Sequence, residues 1–155
     1  MADVDLKERV LDIAYKNKLS HLGSYFSSLQ AIDDIYSEMN LEKDKFILSC
    51  GHCALSLYAV LEKYYNLDAE KLFAKHGGHP HLCEVYVNVN GYAAYDSVDT
   101  RYLVDRLKVF LPTINIVYTS VNAFPFLKGL NAHYHVMSEN DYKLGKKLLE
   151  NEKTL

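Results

Sequence analysis

Tryptophan is absent from this chain of 155 residues, and cysteine and proline occur only three times each. An odd number of cysteines without disulfide-framework spacing argues against a disulfide-stapled secreted fold and favours a reducing cytoplasm. No apolar run approaches the ~20 residues that a membrane-spanning helix needs. The amino terminus carries charges throughout its first ten residues, so we expect no signal peptide.

An excess of charge of one sign is also missing. The chain has 17 basic and 20 acidic residues, a formal net charge of -3, and its basic residues are scattered. We therefore expect neither nucleic acid nor a membrane surface among its partners. The hydrophobic fraction of 49% and the charged fraction of 24% are those of an ordinary soluble globular protein. The length is that of one domain, which we place at residues 1–155.

Helical and strand-like patterns alternate along the chain, which predicts an α/β fold. We expect a small three-layer domain with a short, mainly parallel sheet flanked by helices. The first predicted elements are a helix over 4–16, a loop over 17–28, a helix over 29–39 capped by Ser27 or Ser28, and a strand over 46–48. A helix from 55 and a short helix over 69–75, capped by Asp68 and ended by Gly77, follow. The second half is predicted to contain a strand over 84–92, a helix from 96 or 97 to about 109, a strand over 113–119, a loop over 120–137 and a last helix opened by Ser138 and Asp141.

The turn after the first predicted strand contains Cys50-Gly51-His52-Cys53. A CxxC at a helix amino terminus favours a reactive thiolate, because the helix dipole stabilises negative charge. Disulfide isomerases share CGHC, but they carry a Trp-containing stretch before it, where this chain has "FILS". The same cysteines, with a His/Cys pair from "HGGHPHLC" over 76–83, would also suit a tetrahedral zinc site. The dithiol and the zinc site both stay open as alternatives.

The glycine and histidine of this turn support a third interpretation. The stretch "DKFILSCGHCALSLYAVL", residues 44–61, resembles a segment of the amino-terminal half of transketolases, D-x-F-I-L-S-x-G-H-x-A-x-x-L-Y-A-x-L. That family varies at the positions of both cysteines. The matching residues are Asp44, Phe46 through Ser49, Gly51, His52, Ala54, Leu57, Tyr58, Ala59 and Leu61.

Three further segments resemble transketolase motifs and occur in the same order as in that family. They are an S-G-H-x-G-S-like segment with His21, Gly23 and Ser24, a G-H-P turn with Gly78, His79 and Pro80, and a segment near the carboxyl end with Asn131, His133 and Tyr134.

The resemblance implies a shortened thiamine-diphosphate-binding fold and a ketol transferase that acts on sugars with thiamine diphosphate and Mg²⁺. It implies catalytic roles for His21 and His133, and cofactor-binding roles for Gly51, His52 and His79. Histidine suits this chemistry because imidazole exchanges protons near neutral pH and donates hydrogen bonds to hydroxyl and phosphate oxygens.

One part of the family's site is missing from the sequence. The G-D-G strand that helps to hold Mg²⁺ does not occur, and Gly91 has no acidic neighbour. The resemblance thus implies a domain shortened between about 84 and 90, with no metal ligands of its own. Such a chain is not expected to bind Mg²⁺ and thiamine diphosphate alone, because the phosphate charge would not be neutralised.

Two functions of different class follow. In the first, the chain is a subunit or remnant of a cytoplasmic transketolase, inactive alone, whose partner chain carries the missing cofactor-binding and pyrimidine-binding parts. In the second, it is a non-catalytic interaction or regulatory relative, a pseudoenzyme. The sequence leaves open whether it is an enzyme and whether it forms a homo-oligomer.

Overall fold

The computed structural model describes residues 5–19, 22–49, 53–78, 93–94, 116–119, 124 and 132–136. None of the helices in these ranges is long and apolar enough to cross a membrane. The helices are α1 (Leu6–Lys16), α2 (Gly23–Glu38), α3 (Ala54–Tyr65) and α4 (Ala69–His76), and the strands are β1 (Phe46–Leu48), β2 (Ala93–Ala94), β3 (Ile116–Thr119) and β4 (His133–Val136).

These elements belong to two compact units. The helical unit contains the described residues up to Glu38 together with Leu55–Gly77. The sheet unit contains the described residues of Met39–Ala54 and of Gly78–Met137. The single domain over 1–155 stays a prediction. The predicted strand over 84–92 and the predicted helices over 96–109 and from Ser138 lie outside the described residues.

The described strands form one sheet in the order β2-β1-β3-β4, and every pairing in it is parallel. Phe46 of β1 is in register with Ile116 of β3, which is in register with His133 of β4. All three residues of β1 and all four of β3 are buried, as expected for parallel strands that are covered on both faces. The α/β class and the mainly parallel sheet are confirmed.

Strand β4 was not expected, because the sequence pattern predicts a loop over 120–137. His133 and His135 are exposed, and Tyr134 and Val136 are half-buried, so the segment has the two-residue period of a strand. Four residues, two of them polar, give too short a signal for a prediction. Pairing with β3 and the edge-to-face contact of Tyr134 with Phe124, whose ring centroids are 5.1 Å apart, stabilise the strand through tertiary contacts.

Helix α1 begins close to its predicted start. The carboxylate of Asp5 accepts a hydrogen bond from the backbone N–H of Glu8 at 3.2 Å, which caps the helix. The buried stripe of α1 includes Val10 and Ile13, both fully inaccessible to solvent. The predicted short helix is confirmed as α4, with Asp68 as its amino-terminal cap and Gly77 at its end.

Helix α2 begins at Gly23, so the predicted loop is wrong over residues 23–28. The sequence pattern predicts Ser27 or Ser28 as an amino-terminal cap. Instead, Ser27 donates its hydroxyl to the carbonyl of Gly23, and Ser28 donates to the carbonyl of Tyr25 at 3.2 Å. Serine hydroxyls bond to the preceding turn in this way inside helices, and the apolar residues Tyr25 and Phe26 are buried there.

One network of hydrogen bonds in the helical unit joins three helices. The guanidinium of Arg9 in α1 donates two hydrogen bonds to the carboxylate of Glu62 in α3, at 3.0 and 3.1 Å. The same carboxylate accepts the backbone N–H of Ala69, at the start of α4, at 3.1 Å. The hydrogen bond to Glu62 raises the pKa of Arg9 above its ordinary value. Glu62 therefore links α1, α3 and α4.

A second set of hydrogen bonds joins α2 to α3. One carboxylate oxygen of Asp33 accepts hydrogen bonds from the Lys63 ammonium and the Tyr64 hydroxyl, both at 2.9 Å. The hydrogen bond to Asp33 raises the pKa of Lys63, and burial raises the pKa of Tyr64. Tyr64 and Tyr65 also pack around the buried ring of Tyr36, with centroids 5.8 and 6.1 Å away.

We predict that Glu62→Ala lowers the free energy of unfolding by about 1–3 kcal/mol, because it removes the acceptor of a charged pair and of a helix-end N–H. Equilibrium unfolding in urea measures the change. Glu38→Ala, at the exposed end of α2, is the matched control and should change stability by no more than ~0.5 kcal/mol. Equal effects of the two substitutions would contradict the linking role of Glu62.

Candidate functional site

The stretch over 44–61 contains strand β1 and most of helix α3. Strand β1 is followed by Ser49, and α3 begins at Ala54, while Gly51 and His52 lie outside the described residues. Most of the residues that match transketolases here are core residues. Those that are fully inaccessible to solvent are Phe46, Ile47, Leu48, Ser49, Ala54, Leu57, Tyr58, Ala59 and Leu61. The resemblance over the described part of this stretch therefore rests mainly on core residues.

Asp44, another matching residue, closes the turn that leads into β1. Its carboxylate accepts the backbone N–H of Asn40 at 2.7 Å, and its own N–H donates to the Asn40 carbonyl at 2.9 Å. These two hydrogen bonds fix the chain direction immediately before the strand. The role of Asp44 in the structure is thus to position β1.

Tyr58 connects one motif segment to the residue that precedes another. Its hydroxyl donates a hydrogen bond to the carbonyl of Gly77 at 2.8 Å, although the tyrosine lies in α3 and the glycine at the end of α4. Gly77 has a φ of 79°, a conformation that glycine adopts without steric cost. The buried tyrosine therefore holds the turn that leads through Gly78 towards His79, which lies outside the described residues.

Ser56 connects α3 to the first turn of α2. Its hydroxyl is buried and donates to the carbonyl of Tyr25 at 2.6 Å. Tyr25 follows the motif residues Gly23 and Ser24, and His21 before them lies outside the described residues. Motif comparison missed Ser56, because it stands at a variable position of the family segment. The available signal was a single polar residue within the apolar run "ALSLYAVL".

Helix α3 thus contacts or adjoins segments that are close in sequence to three of the predicted histidines. Ser56 and Tyr58 are two residues apart, which turns their side chains by about 200° around the helix. Ser56 holds the segment that follows His21, and Tyr58 holds the segment that precedes His79, from different sides of α3. The helix itself begins two residues after His52 in the sequence. The catalytic role of His21 and the cofactor-binding roles of Gly51, His52 and His79 stay predictions.

In the sheet unit, two buried hydroxyls meet at the carboxyl ends of β1 and β3. Ser49 donates its hydroxyl to that of Thr119, and the backbone N–H of Ser49 donates to the Tyr118 carbonyl at 2.8 Å. Neither side chain is accessible to solvent. Strands β2 and β3 lie on opposite sides of β1, so the chain continues first to one side of β1 and later to the other. Ligands of open α/β sheets bind beyond the carboxyl ends at such a switch point.

His133 lies at the other end of the sheet. It is the exposed first residue of β4, in register with Ile116, the first residue of β3. Thr119 is three residues further along β3, about 10 Å at the usual rise of a strand. The structure therefore does not place His133 beside the Ser49–Thr119 pair, and its catalytic role stays a prediction.

His135, which the motif comparison did not single out, lies closer to the carboxyl ends. It is exposed on the same face of β4 as His133 and is in register with Tyr118. The signal that could have identified it is the alternation in His-Tyr-His, which puts both rings on one face of a strand.

The two alternatives for the cysteines remain open. Cys53, immediately before α3, is fully buried, and Cys50, His79, His81 and Cys83 lie outside the described residues. Within the described ranges, no group of three or more His, Cys, Asp or Glu side chains could hold a metal ion.

The fold and the switch point are those of a small α/β domain with a parallel sheet. No family model matches the chain, and no solved structure gives a significant match. A curated protein of Phocaeicola vulgatus, the A subunit of an apulose-4-phosphate transketolase, is 31% identical over 65 residues. This match covers 36% of the chain but only 23% of that protein, well under two thirds of its length. The similarity supports a transketolase-like relationship.

We predict that Thr119→Val and Ser49→Ala each lower the free energy of unfolding by about 1–3 kcal/mol. Each substitution removes one hydroxyl of the pair and leaves the other buried without that hydrogen bond. The double variant should lose less than the sum, since it removes both partners of one hydrogen bond. Urea unfolding of the four proteins measures the coupling. Effects that add to within ~0.3 kcal/mol would contradict a direct bond between the two hydroxyls.

Tyr58→Phe should cost about 1 kcal/mol of stability, because it removes one hydrogen bond to Gly77 and leaves the ring in place. The Gly77 amide, which donates to the Phe73 carbonyl at 2.8 Å, should also exchange its hydrogen faster. Tyr15→Phe is the matched control, since Tyr15 is 84% exposed. If Gly77 exchanges equally fast in both variants, Tyr58 does not hold this turn.

Proposed function

We propose that this chain is a subunit or remnant of a thiamine-diphosphate-dependent ketol transferase that acts on sugars and is inactive alone. The observation that carries the proposal is the 31% identity to a protein described as part of a transketolase. The four motif segments, which occur in the order of that family, also support it. Because the relative's name specifies one of several subunits and a sugar phosphate, we extend the proposal to a partner chain and a phosphorylated sugar.

The described residues do not fit the Mg²⁺ ion that holds the diphosphate. At the carboxyl ends of β1 and β3 they offer Ser49 and Thr119, two uncharged hydroxyls that bond to each other. Mg²⁺ in such sites is bound by carboxylates, phosphate oxygens and water in octahedral geometry. The sequence also lacks the G-D-G strand of the family. We therefore assign the metal ligands to the partner chain.

The contribution of this chain would be its histidines. In the proposal, His21 and His133 act on the sugar, and His52, Gly51 and His79 border the cofactor. The hydrogen bonds of Ser56 and Tyr58 support the roles of His21 and His79, because they hold the backbone that follows His21 and the backbone that precedes His79. Imidazole groups can orient hydroxyl groups and transfer protons at neutral pH, which suits the proposed roles.

A non-catalytic interaction or regulatory relative is the second candidate. The missing metal ligands favour it, because the described residues contain no group of three or more His, Cys, Asp or Glu side chains that could hold a metal ion. The two candidates differ in whether the histidines affect turnover. In both we propose a cytoplasmic protein without a nucleic-acid or membrane partner; a homo-oligomer is compatible with either.

The deciding experiment is isolation of the chain with its partners from the native host, followed by an assay of ketol transfer from a sugar phosphate. A partner chain that contains the G-D-G strand, and activity that needs both chains, would support the catalytic role. His21→Ala and His133→Ala should then lower turnover at least about tenfold without unfolding the chain. His81→Ala, which matches no motif position, is the control. Unchanged turnover in both variants would favour the regulatory relative.

The isolated chain should show no rise in melting temperature with millimolar thiamine diphosphate and Mg²⁺, because it lacks the metal ligands. A ligand present at 100 times its dissociation constant stabilises a protein by about 2.7 kcal/mol, so binding would be visible in a thermal-shift assay. Clear stabilisation of the isolated chain would show that it forms the cofactor site without a partner.

A further inference from the structure

The exposed face of β4 carries two histidines at a spacing that suits metal chelation. His133 and His135 are both exposed, whereas Tyr134 and Val136 between and after them are half-buried. Residues two apart in a strand point to the same face, with Cα atoms about 6.5–7 Å apart. Imidazole nitrogens bind metals at about 2.0–2.1 Å, so two rings at this spacing reach one ion between them.

The sheet fixes this arrangement before any ligand binds. His133 is in register with Ile116 and His135 with Tyr118, so backbone pairing to β3 holds both histidines in one strand conformation. Ile116 and Tyr118 are buried in β3, whereas His133 and His135 themselves are exposed. A site held by regular structure loses less conformational entropy on binding than one on a loop.

We propose that His133 and His135 form a two-ligand surface site for a late first-row divalent metal ion, such as Ni²⁺, Cu²⁺ or Zn²⁺. Imidazole ligands favour these ions, whereas Mg²⁺ and Ca²⁺ require oxygen ligands. The described residues supply no third metal ligand here, so water or an exogenous molecule completes the coordination. The site does not rest on the proposed ketol transfer and differs in chemistry from a Mg²⁺ site.

The test is a titration of the full chain with Ni²⁺, followed by backbone amide NMR. Paramagnetic Ni²⁺ should perturb the amides of residues 133–136 and of the paired residues 116–119 at low molar ratio. His133→Gln and His135→Gln should each weaken this local binding at least about tenfold, since even loss of a supporting group around a metal ligand costs about 10–100-fold in affinity. The unperturbed remainder of each spectrum shows that the variant is folded.

A second variant separates chelation from the mere number of histidines. Ala132→His combined with His133→Gln keeps seven histidines but changes the spacing to His135 from two residues to three. Its local affinity should fall to that of His133→Gln alone, because the two rings no longer share a strand face. The proposal is overturned if this variant binds like the wild type, or if Ni²⁺ does not perturb β4 in the wild type.

Discussion

The helical unit depends on α3, because this helix shares hydrogen bonds with each of the other three described helices. Its first two turns hold the start of α2 and the end of α4, and its last turns bind α1, α2 and the start of α4 through charged groups. The hydrogen bonds concerned are those of Ser56 with Tyr25, Tyr58 with Gly77, Glu62 with Arg9 and Ala69, and Lys63 and Tyr64 with Asp33. Because these groups are wholly or partly buried, loss of one partner leaves the other without full compensation from bulk water.

This arrangement gives the transketolase resemblance a physical meaning. Most described residues that match the family segment over 44–61 are buried, and Tyr58 and Asp44 fix turns. They build strand β1 and helix α3, whatever chemistry the residues between these two elements perform. The described part of the match therefore consists mainly of core residues, whereas the sequence lacks the family's metal-binding strand. Such a match is compatible with both proposed functions. In one, a partner chain supplies the metal ligands; in the other, the chain is a relative that has lost catalysis.

Much of the fold could be predicted where the signal was local. Asp5 and Asp68 cap helices because a carboxylate reaches the N–H groups of its own first turn, and Gly77 ends α4 with a positive φ. The start of α2 was mispredicted because a serine that caps a helix and a serine that bonds back to the preceding turn look the same in sequence. Ser27 and Ser28 do the second, and the burial of Tyr25 and Phe26 decides between them.

The sequence by itself determined the α/β class, the parallel strands β1 and β3, and the motif order, because periodicity and capping are local properties of the chain. Only the tertiary structure decided that Ser49 bonds to Thr119, that residues 133–136 form a strand, and that His133 lies at the amino end of that strand. The first of these facts depends on register between segments 70 residues apart in the chain. Pairing of that kind is set by packing in three dimensions, which no short window of sequence contains.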